Sequence, residues 1–284
     1  MEHFDILIIG GGAAGIAAAK AACSAGCKSI ALVDRKANLG GVLLQCAHNG
    51  FGPGLTGPEY LKNLTDDFPP EIRFFPNTTV LSLSPEREAH LSGGITLTFE
   101  KLILATGCRE IPIGALPIAG TRPAGIYTAG QMQEMLNLHG VVPEGPAVIL
   151  GSGDLGLVMA RHLAERGIAV TLVEQKPHCG GMARNRRCLR EYPIKLITNT
   201  TITEVRGEKQ LEEVILQGSI PIPCKTLLIA AGLRPDRELI YNLENPDWLY
   251  LCGNCSTVHP MVEAVIHEGT QAGIAAWESV GDHI

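Results

Sequence analysis

Short apolar runs alternate with glycine-rich turns and helix-forming segments along the chain. The run from Phe4 to Ile9 is rich in β-branched residues and predicts a buried strand of a parallel sheet. Glycines end this run, the alanine-rich segment from Ala13 to Ala25 predicts a helix, and Ser29 to Asp34 predicts a second strand. This order is a βαβ unit, for which parallel pairing and a right-handed crossover are expected.

The same pattern returns in the second half of the chain. Strands are predicted at Ala147 to Leu150 and at Ile168 to Glu174, with a helix from Leu155 to Glu165 between them. The glycines that open the two turns, Gly10 and Gly151, lie 141 positions apart. A repeat at this distance indicates two similar domains rather than a short-period solenoid.

The ends of the two predicted domains lie in stretches rich in proline and glycine. These stretches are 107–130 and 232–246, and a last helix is predicted from Pro260 to Val280. The small residues of that helix allow close approach to a neighbouring element. We therefore predict an α/β fold with two Rossmann-like domains, the second inserted into the first, with boundaries at 1–115, 116–242 and 243–284.

Composition narrows the class of protein. The 284 residues include 23 basic and 29 acidic side chains, and a net charge of −6 argues against a nucleic-acid surface. The longest nearly apolar run, Ile6 to Ala19, is shorter than the ~20 residues of a spanning helix, so no membrane span is expected. The chain has nine cysteines, and its first residues are acidic, whereas a secretory signal starts with basic residues. We therefore expect reduced thiols and a cytoplasmic location.

The first turn carries the motif Gly10-x-Gly12-x-x-Gly15 between the strand and the helix. In a dinucleotide site the three glycines permit a tight turn, close approach of a diphosphate, and close helix–strand packing. Asp34 stands 19 residues beyond Gly15, where an acid accepts from ribose hydroxyls. The alternative is an ordinary strand–turn–helix without a ligand. Two neighbours belong to the same expected binding set, Ala14 and Arg35.

The second turn repeats the motif as Gly151-x-Gly153-x-x-Gly156, with Asp154 inside it and Glu174 18 residues beyond its end. A carboxylate at Glu174 repels a 2′-phosphate, which favours NAD over NADP. A basic cluster follows and is either a phosphate site or a solvated surface, with NADP therefore left open. The cluster consists of Arg184, Arg186, Arg187 and Arg190.

Two dinucleotide sites in one chain are explained by a flavin that stores electrons and a nicotinamide that delivers them as hydride. We therefore expect FAD in the first domain and NAD(H) in the inserted domain.

With these motifs, the chain resembles the pyridine nucleotide–disulfide oxidoreductases over essentially its whole length. Three further segments carry the likeness. Ala105-Thr106-Gly107 is similar to the family's second flavin motif, Gly232 lies in the closing motif of the nicotinamide domain, and Gly253-Asn254 stands where the family has Gly-Asp. The family acid contacts the ribityl chain of the flavin, and an amide can still donate and accept there.

A narrower likeness is to flavoprotein subunits of heteromeric dehydrogenases, of the opine oxidase, dye-linked proline dehydrogenase and hydrogen cyanide synthase type. It also includes reductases associated with glycerol-3-phosphate metabolism. The segments that carry it are Gly40-Gly41, Gln45 to Gly52, Tyr127 to Gly130, and Gly151 to Asp154.

This resemblance implies which residues face the flavin. The two redox cysteines of the larger disulfide reductases would fall on Leu43 and His48, so that disulfide is not expected. His48 and Asn49 are expected at the working face of the flavin, with His48 as a proton relay or a structural histidine. The start of the last helix, Met261 and Val262, is expected to aim its N–H groups at the flavin, or merely to pack.

Three cysteines leave alternatives open. Cys46 is either a thiolate favoured by the nearby His48 or a small buried apolar residue. Cys252 and Cys255 form a Cys-x-x-Cys motif that is interpreted as a flavin-contacting loop, a redox pair, or half of a zinc site without a second ligand pair. No metal site is predicted.

The predicted function is an FAD-dependent oxidoreductase that passes hydride between NAD(H) and FAD. Electrons then go to or from a second subunit, substrate-oxidising or iron–sulfur in type, or a small acceptor. The alternatives are a non-autonomous flavin-binding subunit of an amino-acid, opine or glycerol-3-phosphate dehydrogenase, and a thiol reductase that uses Cys46 or Cys252 with Cys255. Whether the chain forms a homo-oligomer is left open.

Overall fold

The structure is a computed structural model that describes residues 1–244 and 246–281. Its strands and helices follow one another as β1 (Glu2–Ile9), α1 (Ala13–Ser24), β2 (Ile30–Val33), α2 (Gly57–Thr65), β3 (Ile72–Phe75), β4 (Val80–Leu83), β5 (Glu88–Leu91), β6 (Ile95–Leu104), β7 (Cys108–Glu110), β8 (Ala119–Gly120), β9 (Ile126–Thr128), α3 (Ala129–His139), β10 (Ala147–Leu150), α4 (Asp154–Ala164), β11 (Val170–Val173), α5 (Ala183–Arg186), α6 (Cys188–Glu191), β12 (Lys195–Ile197), β13 (Ile202–Arg206), β14 (Glu213–Leu216), β15 (Ile220–Pro223), β16 (Thr226–Ile229), β17 (Leu233–Pro235), β18 (Leu249–Leu251) and α7 (Val262–Gly281).

The chain forms two compact units, one from Met1–Arg109 with the residues from Arg234 onward, the other from Glu110–Leu233. The predicted boundaries, after residues 115 and 242, lie six and nine residues further along. The difference arises because the chain passes between the units in β7 and β17, which pair with each other. Composition marks only the longer proline- and glycine-rich stretches around these short strands.

The first unit is built on a seven-stranded sheet in the order β3-β2-β1-β6-β5-β4. The strands β3, β2, β1 and β6 run parallel, as the βαβ pattern predicts. One edge of β6 is shared, because its first half pairs antiparallel with β5 and its last three residues pair parallel with β18. The segment after the insertion therefore completes the sheet of the first unit.

The second unit contains a five-stranded parallel sheet in the order β12-β11-β10-β16-β9. A smaller sheet, in the order β15-β14-β13-β8, has antiparallel pairs between β13, β14 and β15. The strands β10 and β16 are buried along their whole length, which explains their continuous apolar sequences.

The helices and strands predicted around the two glycine turns lie within two residues of their predicted bounds. This holds for β1, α1, β2, β10, α4 and β11, and for the last helix α7. Among the described residues, no helix is long and apolar enough to cross a membrane.

Helix α7 packs directly on α1, as its small residues predict. A Cβ atom added at Gly269 would overlap the carbonyl oxygen of Ala14, and one at Gly273 would overlap that of Ala18. Both alanines, with Ala272 and Ala276 of α7, belong to the buried cluster that includes Ile6 and Ile8. The two helix backbones therefore approach closely because neither glycine has a side chain.

This contact reverses the usual effect of replacing a helical glycine. Alanine ordinarily stabilises a helix interior over glycine by about 1 kcal/mol. We expect Gly273→Ala to lower the free energy of unfolding by about 1–3 kcal/mol instead, because the new methyl group overpacks the interface. Urea denaturation followed by circular dichroism measures the change. The exposed Gln271→Ala should stay within about 0.5 kcal/mol, and a stabilised Gly273→Ala would contradict the packing.

Candidate dinucleotide-binding sites

The first glycine turn connects β1 to α1 through backbone that only glycine fits. Gly10 has φ +110° and donates its N–H to the Val33 carbonyl over 2.9 Å. A Cβ at Gly10 would overlap the carbonyl oxygen of Ala105, and a Cβ at Gly15 would overlap that of Gly10. These two glycines therefore bring the turn, α1 and the end of β6 together.

Gly12 differs from these two glycines because its side-chain position is open. No heavy atom lies within 4 Å of a Cβ built there, and its backbone is in the extended region with φ −79°. Gly12 is the N-cap residue of α1, and no side chain caps the helix. The free space at an uncapped, positive helix end fits the diphosphate of a dinucleotide such as FAD.

Asp34 fastens the first turn to the end of β2. Its Oδ2 accepts the N–H of Gly11 over 2.6 Å, and its Oδ1 accepts the N–H of Lys36 over 2.7 Å. The carboxylate is only half-buried, while Arg35 beside it is exposed. Each oxygen can accept a further hydrogen bond. The two N–H donors fix the position of the Asp34 carboxylate, and its contact with a ribose stays a prediction.

The second turn, between β10 and α4, repeats this geometry. Gly151 has φ +107° and donates to the Val173 carbonyl over 2.8 Å. A Cβ at Gly151 would overlap the carbonyl oxygen of Ala230, whereas nothing lies within 4 Å of one at Gly153. Like Gly12, Gly153 is an N-cap residue without a side-chain cap, so this turn also fits a diphosphate. Gly156 packs against Gly151 as Gly15 does against Gly10.

Glu174 is held more fully than Asp34. Its Oε2 accepts from the backbone N–H and the hydroxyl of Ser152 over 2.9 and 2.6 Å, and its Oε1 accepts the N–H of Lys176 over 2.9 Å. The residue is 9% exposed. Burial raises the pKa of Glu174, but the hydrogen bonds from Ser152 and Lys176 outweigh it and leave the pKa below its usual value. The carboxylate is therefore charged at neutral pH.

A pair of glycines that follows each acid covers each turn. The Gly40 N–H donates to the Gly11 carbonyl over 2.7 Å, and the Gly180 N–H donates to the Ser152 hydroxyl over 2.8 Å. A Cβ on Gly41 would lie 3.2 Å from the Gly12 Cα. Gly180 and Gly181 were not among the predicted residues, although a sequence signal marks them: both acids begin the same spacing, acid-x-Lys-x-x-x-Gly-Gly.

Asp154 ties the start of α4 to the segment beyond this second glycine pair. Its Oδ1 accepts the Met182 N–H over 2.7 Å and the Asn185 side-chain amide over 2.6 Å. The side chain that was predicted to bind a cofactor is therefore also a structural link to α5.

Asn254, in the loop after β18, is engaged within the chain. Its Oδ1 accepts the N–H of His259 over 2.9 Å, and its Nδ2 donates to the Cys108 sulfur over 3.7 Å. The neighbouring Gly253 N–H donates to Glu268, whose other carboxylate oxygen lies 2.7 Å from the His259 ring. These partners fix the loop that was predicted to meet the ribityl chain, and no local sequence signal points to them.

The other predicted contacts lie at the ends of strands or helices. Thr106 follows β6 and donates its hydroxyl to the Asp236 carbonyl over 2.7 Å, while the Gly107 carbonyl accepts the Asp236 N–H. In the second unit, Gly232 has φ +130° and its carbonyl accepts the N–H of Ile111.

At the start of α7, Met261 is exposed and Val262 is half-buried. Glu263 adds a negative charge to the first turn and offsets part of the helix dipole there. Burial and this nearby Glu263 raise the pKa of Tyr60. A flavin placed at this end would therefore meet less positive potential than the helix alone provides.

Burial opposes a thiolate at Cys46. It raises the pKa of the Cys46 thiol to about 12. His48 stacks on Phe51, with ring centroids 5.3 Å apart and an angle of 20° between the planes. Asn49 is exposed. The catalytic roles of these three residues stay predictions, and the environment of Cys46 is that of a small apolar residue.

Cys252 and Cys255 are buried at the end of β6. Both thiols donate to the Leu104 carbonyl, over 3.9 and 2.9 Å, and burial raises the pKa of each. Within residues 1–244 and 246–281, no three His, Cys, Asp or Glu side chains are grouped to hold a metal ion.

Comparison with known proteins identifies the family. The family described as pyridine nucleotide-disulphide oxidoreductase matches residues 4–247. The chain belongs to this family. Membership confirms the predicted class, an α/β oxidoreductase that uses FAD and NAD(P).

The chain is also similar to individual relatives. It is 27% identical to an opine oxidase subunit of Agrobacterium tumefaciens (strain Ach5), covering 84% of this chain and 54% of that protein. Identity to the HcnB subunit of hydrogen cyanide synthase from Pseudomonas aeruginosa is also 27%, over 96% of this chain and 67% of the relative. The chain thus spans about half the length of the first of these relatives.

Among solved structures, thioredoxin reductase of T. acidophilum has the same fold, with a TM-score of 0.81. It is 18% identical, and the match covers 98% of this chain and 99% of that one.

The two open glycines allow ligand binding to be separated from folding. We expect Gly12→Val to lower the free energy of unfolding of the flavin-free protein by no more than about 1–2 kcal/mol, because valine is a poorer N-cap residue than glycine but a Cβ at this position has no heavy atom within 4 Å. FAD should bind at least about tenfold more weakly, because the valine fills the diphosphate space. Fluorescence titration with FAD measures this, and Gly114→Val, equally unobstructed, is the control. Unchanged FAD affinity of Gly12→Val would place the diphosphate elsewhere.

The raised thiol pKa values predict slow alkylation. At pH 8, moving a pKa from 9.0 to about 12 lowers the thiolate fraction of Cys46 about 1000-fold. We expect iodoacetamide to modify Cys46, Cys252 and Cys255 far more slowly in the folded protein than in urea, as followed by mass spectrometry. The partly exposed Cys179 is the internal reference. Rapid modification of Cys252 or Cys255 in the folded protein would revive the thiol-reductase alternative.

Proposed function

We propose that the chain passes hydride between NAD(H) and FAD, with electrons leaving to, or arriving from, a second subunit or a small acceptor. The observation that carries this proposal is the pair of matching turns. Each has an open N-cap glycine, Gly12 or Gly153, at an uncapped helix start. Each turn is also fastened by an acid at the end of the next strand.

Each unit would bind one of the two cofactors. FAD would be held by Gly10 to Gly15, Asp34, Gly41 and the segments 105–107 and 253–254. The nicotinamide dinucleotide would be held by Gly151 to Gly156 and Glu174. When bound, the two cofactors supply the redox chemistry. The chain supplies helix N–H groups for the diphosphates and carboxylates for the riboses.

NAD(H) is the preferred nicotinamide cofactor in this proposal. Glu174 is charged at neutral pH, and its position is fixed by Ser152 and Lys176. A 2′-phosphate placed near this carboxylate would be repelled, whereas a 2′-hydroxyl can donate to it. The exposed Lys176 side chain, in the same loop, opposes this preference because its positive charge would attract a 2′-phosphate.

The electron acceptor is proposed to be external to the chain rather than a disulfide. Leu43 and His48 stand at the positions of the disulfide in larger reductases, and burial with a raised pKa disfavours exchange at Cys252 and Cys255. Two relatives are named as subunits, of opine oxidase and of hydrogen cyanide synthase. Their names support electron exchange with a partner subunit.

A second candidate function is a flavin-binding subunit that turns over only inside a larger enzyme. It is favoured by the names of two relatives, which are subunits of opine oxidase and of hydrogen cyanide synthase. The two candidates differ in whether the isolated chain reduces a dye with NADH.

The test is anaerobic titration of the FAD-loaded chain with NADH. We expect NADH to bleach the visible flavin band, and NADPH to do so at a concentration at least about tenfold higher, since one unfavourable charge contact is worth about 1–3 kcal/mol. Gly153→Val should remain yellow and lose this response, because it blocks only the second turn. Full bleaching of Gly153→Val, or none in the FAD-loaded parent, would contradict the proposed hydride transfer.

A further inference from the structure

The loop between β18 and α7 lies beside the first glycine turn. A Cβ added at Gly253 would lie 2.7 Å from the Cβ of Ala14, which stands two residues beyond Gly12 in α1. The next residue, Asn254, donates its side-chain amide to the sulfur of Cys108, the first residue of β7. The loop therefore borders the uncapped start of α1, where the open position of Gly12 fits a diphosphate.

One face of α7 holds this loop. Glu268 and Gly269 follow Val265 at intervals of three and four residues, which places all three on the same side of the helix. A Cβ at Gly253 would lie 3.2 Å from the Val265 side chain, while Gly269 packs on the Ala14 carbonyl. Between these two positions of the helix, Glu268 accepts the N–H of Gly253 at Oε2 over 2.8 Å.

Glu268 also holds the far end of the loop. Its Oε1 lies 2.7 Å from Nε2 of His259, and the backbone N–H of His259 donates to Oδ1 of Asn254 over 2.9 Å. The side chains of His259 and Glu268 are 18% and 31% exposed, so water competes only partly for this contact. One carboxylate therefore fixes residues on both sides of Asn254, through hydrogen bonds of the stronger, charge-assisted kind.

Arg237 holds the middle of the same loop from the segment that follows β17. Its Nε donates to the Cys255 carbonyl over 2.6 Å, and its Nη2 donates to the Ser256 carbonyl. These contacts begin two residues beyond Gly253. Loss of the Glu268 carboxylate would therefore release the Gly253 end of the loop, which borders α1, and leave the middle of the loop in place.

We propose that Glu268 is a positioning residue for FAD, because it holds Gly253 and His259 so that the loop between them is ordered before the cofactor arrives. A loop that is already ordered does not have to lose conformational entropy during binding, and the affinity is higher for that reason. This inference rests on the proposed placement of FAD in the first unit, and it does not depend on hydride transfer.

Fluorescence titration of the flavin-free full chain with FAD tests the role of Glu268. We expect Glu268→Ala to bind FAD at least about tenfold more weakly than the parent protein, since the loop must then be ordered on binding. Glu268→Gln should stay within about threefold of the parent, because its amide can accept from Gly253 and donate to the His259 ring. Glu278→Ala, at an exposed position of the same helix, is the matched control and should bind as the parent does.

A merely structural role predicts a different pattern. Glu268→Ala would then lower the free energy of unfolding of the flavin-free protein, measured in urea, while the folded variant would bind FAD as tightly as the parent. That result would overturn the proposal, and so would equal weakening of FAD binding in Glu268→Gln and Glu268→Ala.

A second variant keeps the test valid if Glu268→Ala does not fold. His259→Ala removes the ring but keeps the backbone N–H that donates to Asn254, and we expect about threefold weaker FAD binding or more. The control is His267→Ala, an exposed histidine of α7. Unchanged FAD affinity of His259→Ala, or an equal loss in His267→Ala, would overturn the proposal.

Gly12→Val distinguishes the two ways in which the proposal can fail. If Gly12→Val keeps its FAD affinity, the placement of FAD is wrong and the role of Glu268 is overturned with it. If Gly12→Val loses FAD while Glu268→Ala binds it normally, the placement stands and only the role of Glu268 is overturned.

Discussion

A carboxylate that accepts the N–H of the middle residue of each glycine turn is the contact on which both candidate sites depend. Asp34 holds Gly11 and Glu174 holds Ser152, over 2.6 and 2.9 Å. Loss of such an acceptor costs about 1–3 kcal/mol when the N–H is out of water. The contact fixes the end of one strand against the start of a helix, and thereby fixes where the free N–H groups of α1 and α4 point.

The two turns reach this contact with different residues for a steric reason. A Cβ on Gly11 would lie 2.7 Å from the Leu39 side chain and 3.1 Å from Asp34 Oδ2. There is therefore no room for a side chain at this position, and the shorter acid, aspartate, is paired with glycine. In the second turn the longer Glu174 leaves room for Ser152, whose hydroxyl donates to the acid and accepts from Gly180. The carboxylate of Glu174 is therefore more buried than that of Asp34 and accepts one more hydrogen bond.

Features of the fold that arise from neighbouring residues were predictable. The strands, helices and glycine turns follow from apolar runs, alanine-rich segments and spacing, all of which act over a few residues. The contact of Asn254 with Cys108 was not predictable, because the two residues lie 146 positions apart in the chain. The two compact units divide six and nine residues before the predicted boundaries, in β7 and β17 rather than in the longer stretches that composition marks.

The return of the chain to the first unit gives the Cys-x-x-Cys motif a structural role. The Leu104 carbonyl at the end of β6 accepts from the backbone N–H of Cys252 and from the thiols of Cys252 and Cys255. These contacts join β18 and the following loop to the last residue of β6, just before the chain leaves for the insertion. Helix α7 then covers α1 through Gly269 and Gly273. Small buried thiols suit this junction because they fill space and still donate weakly to a carbonyl that borders the predicted flavin segments.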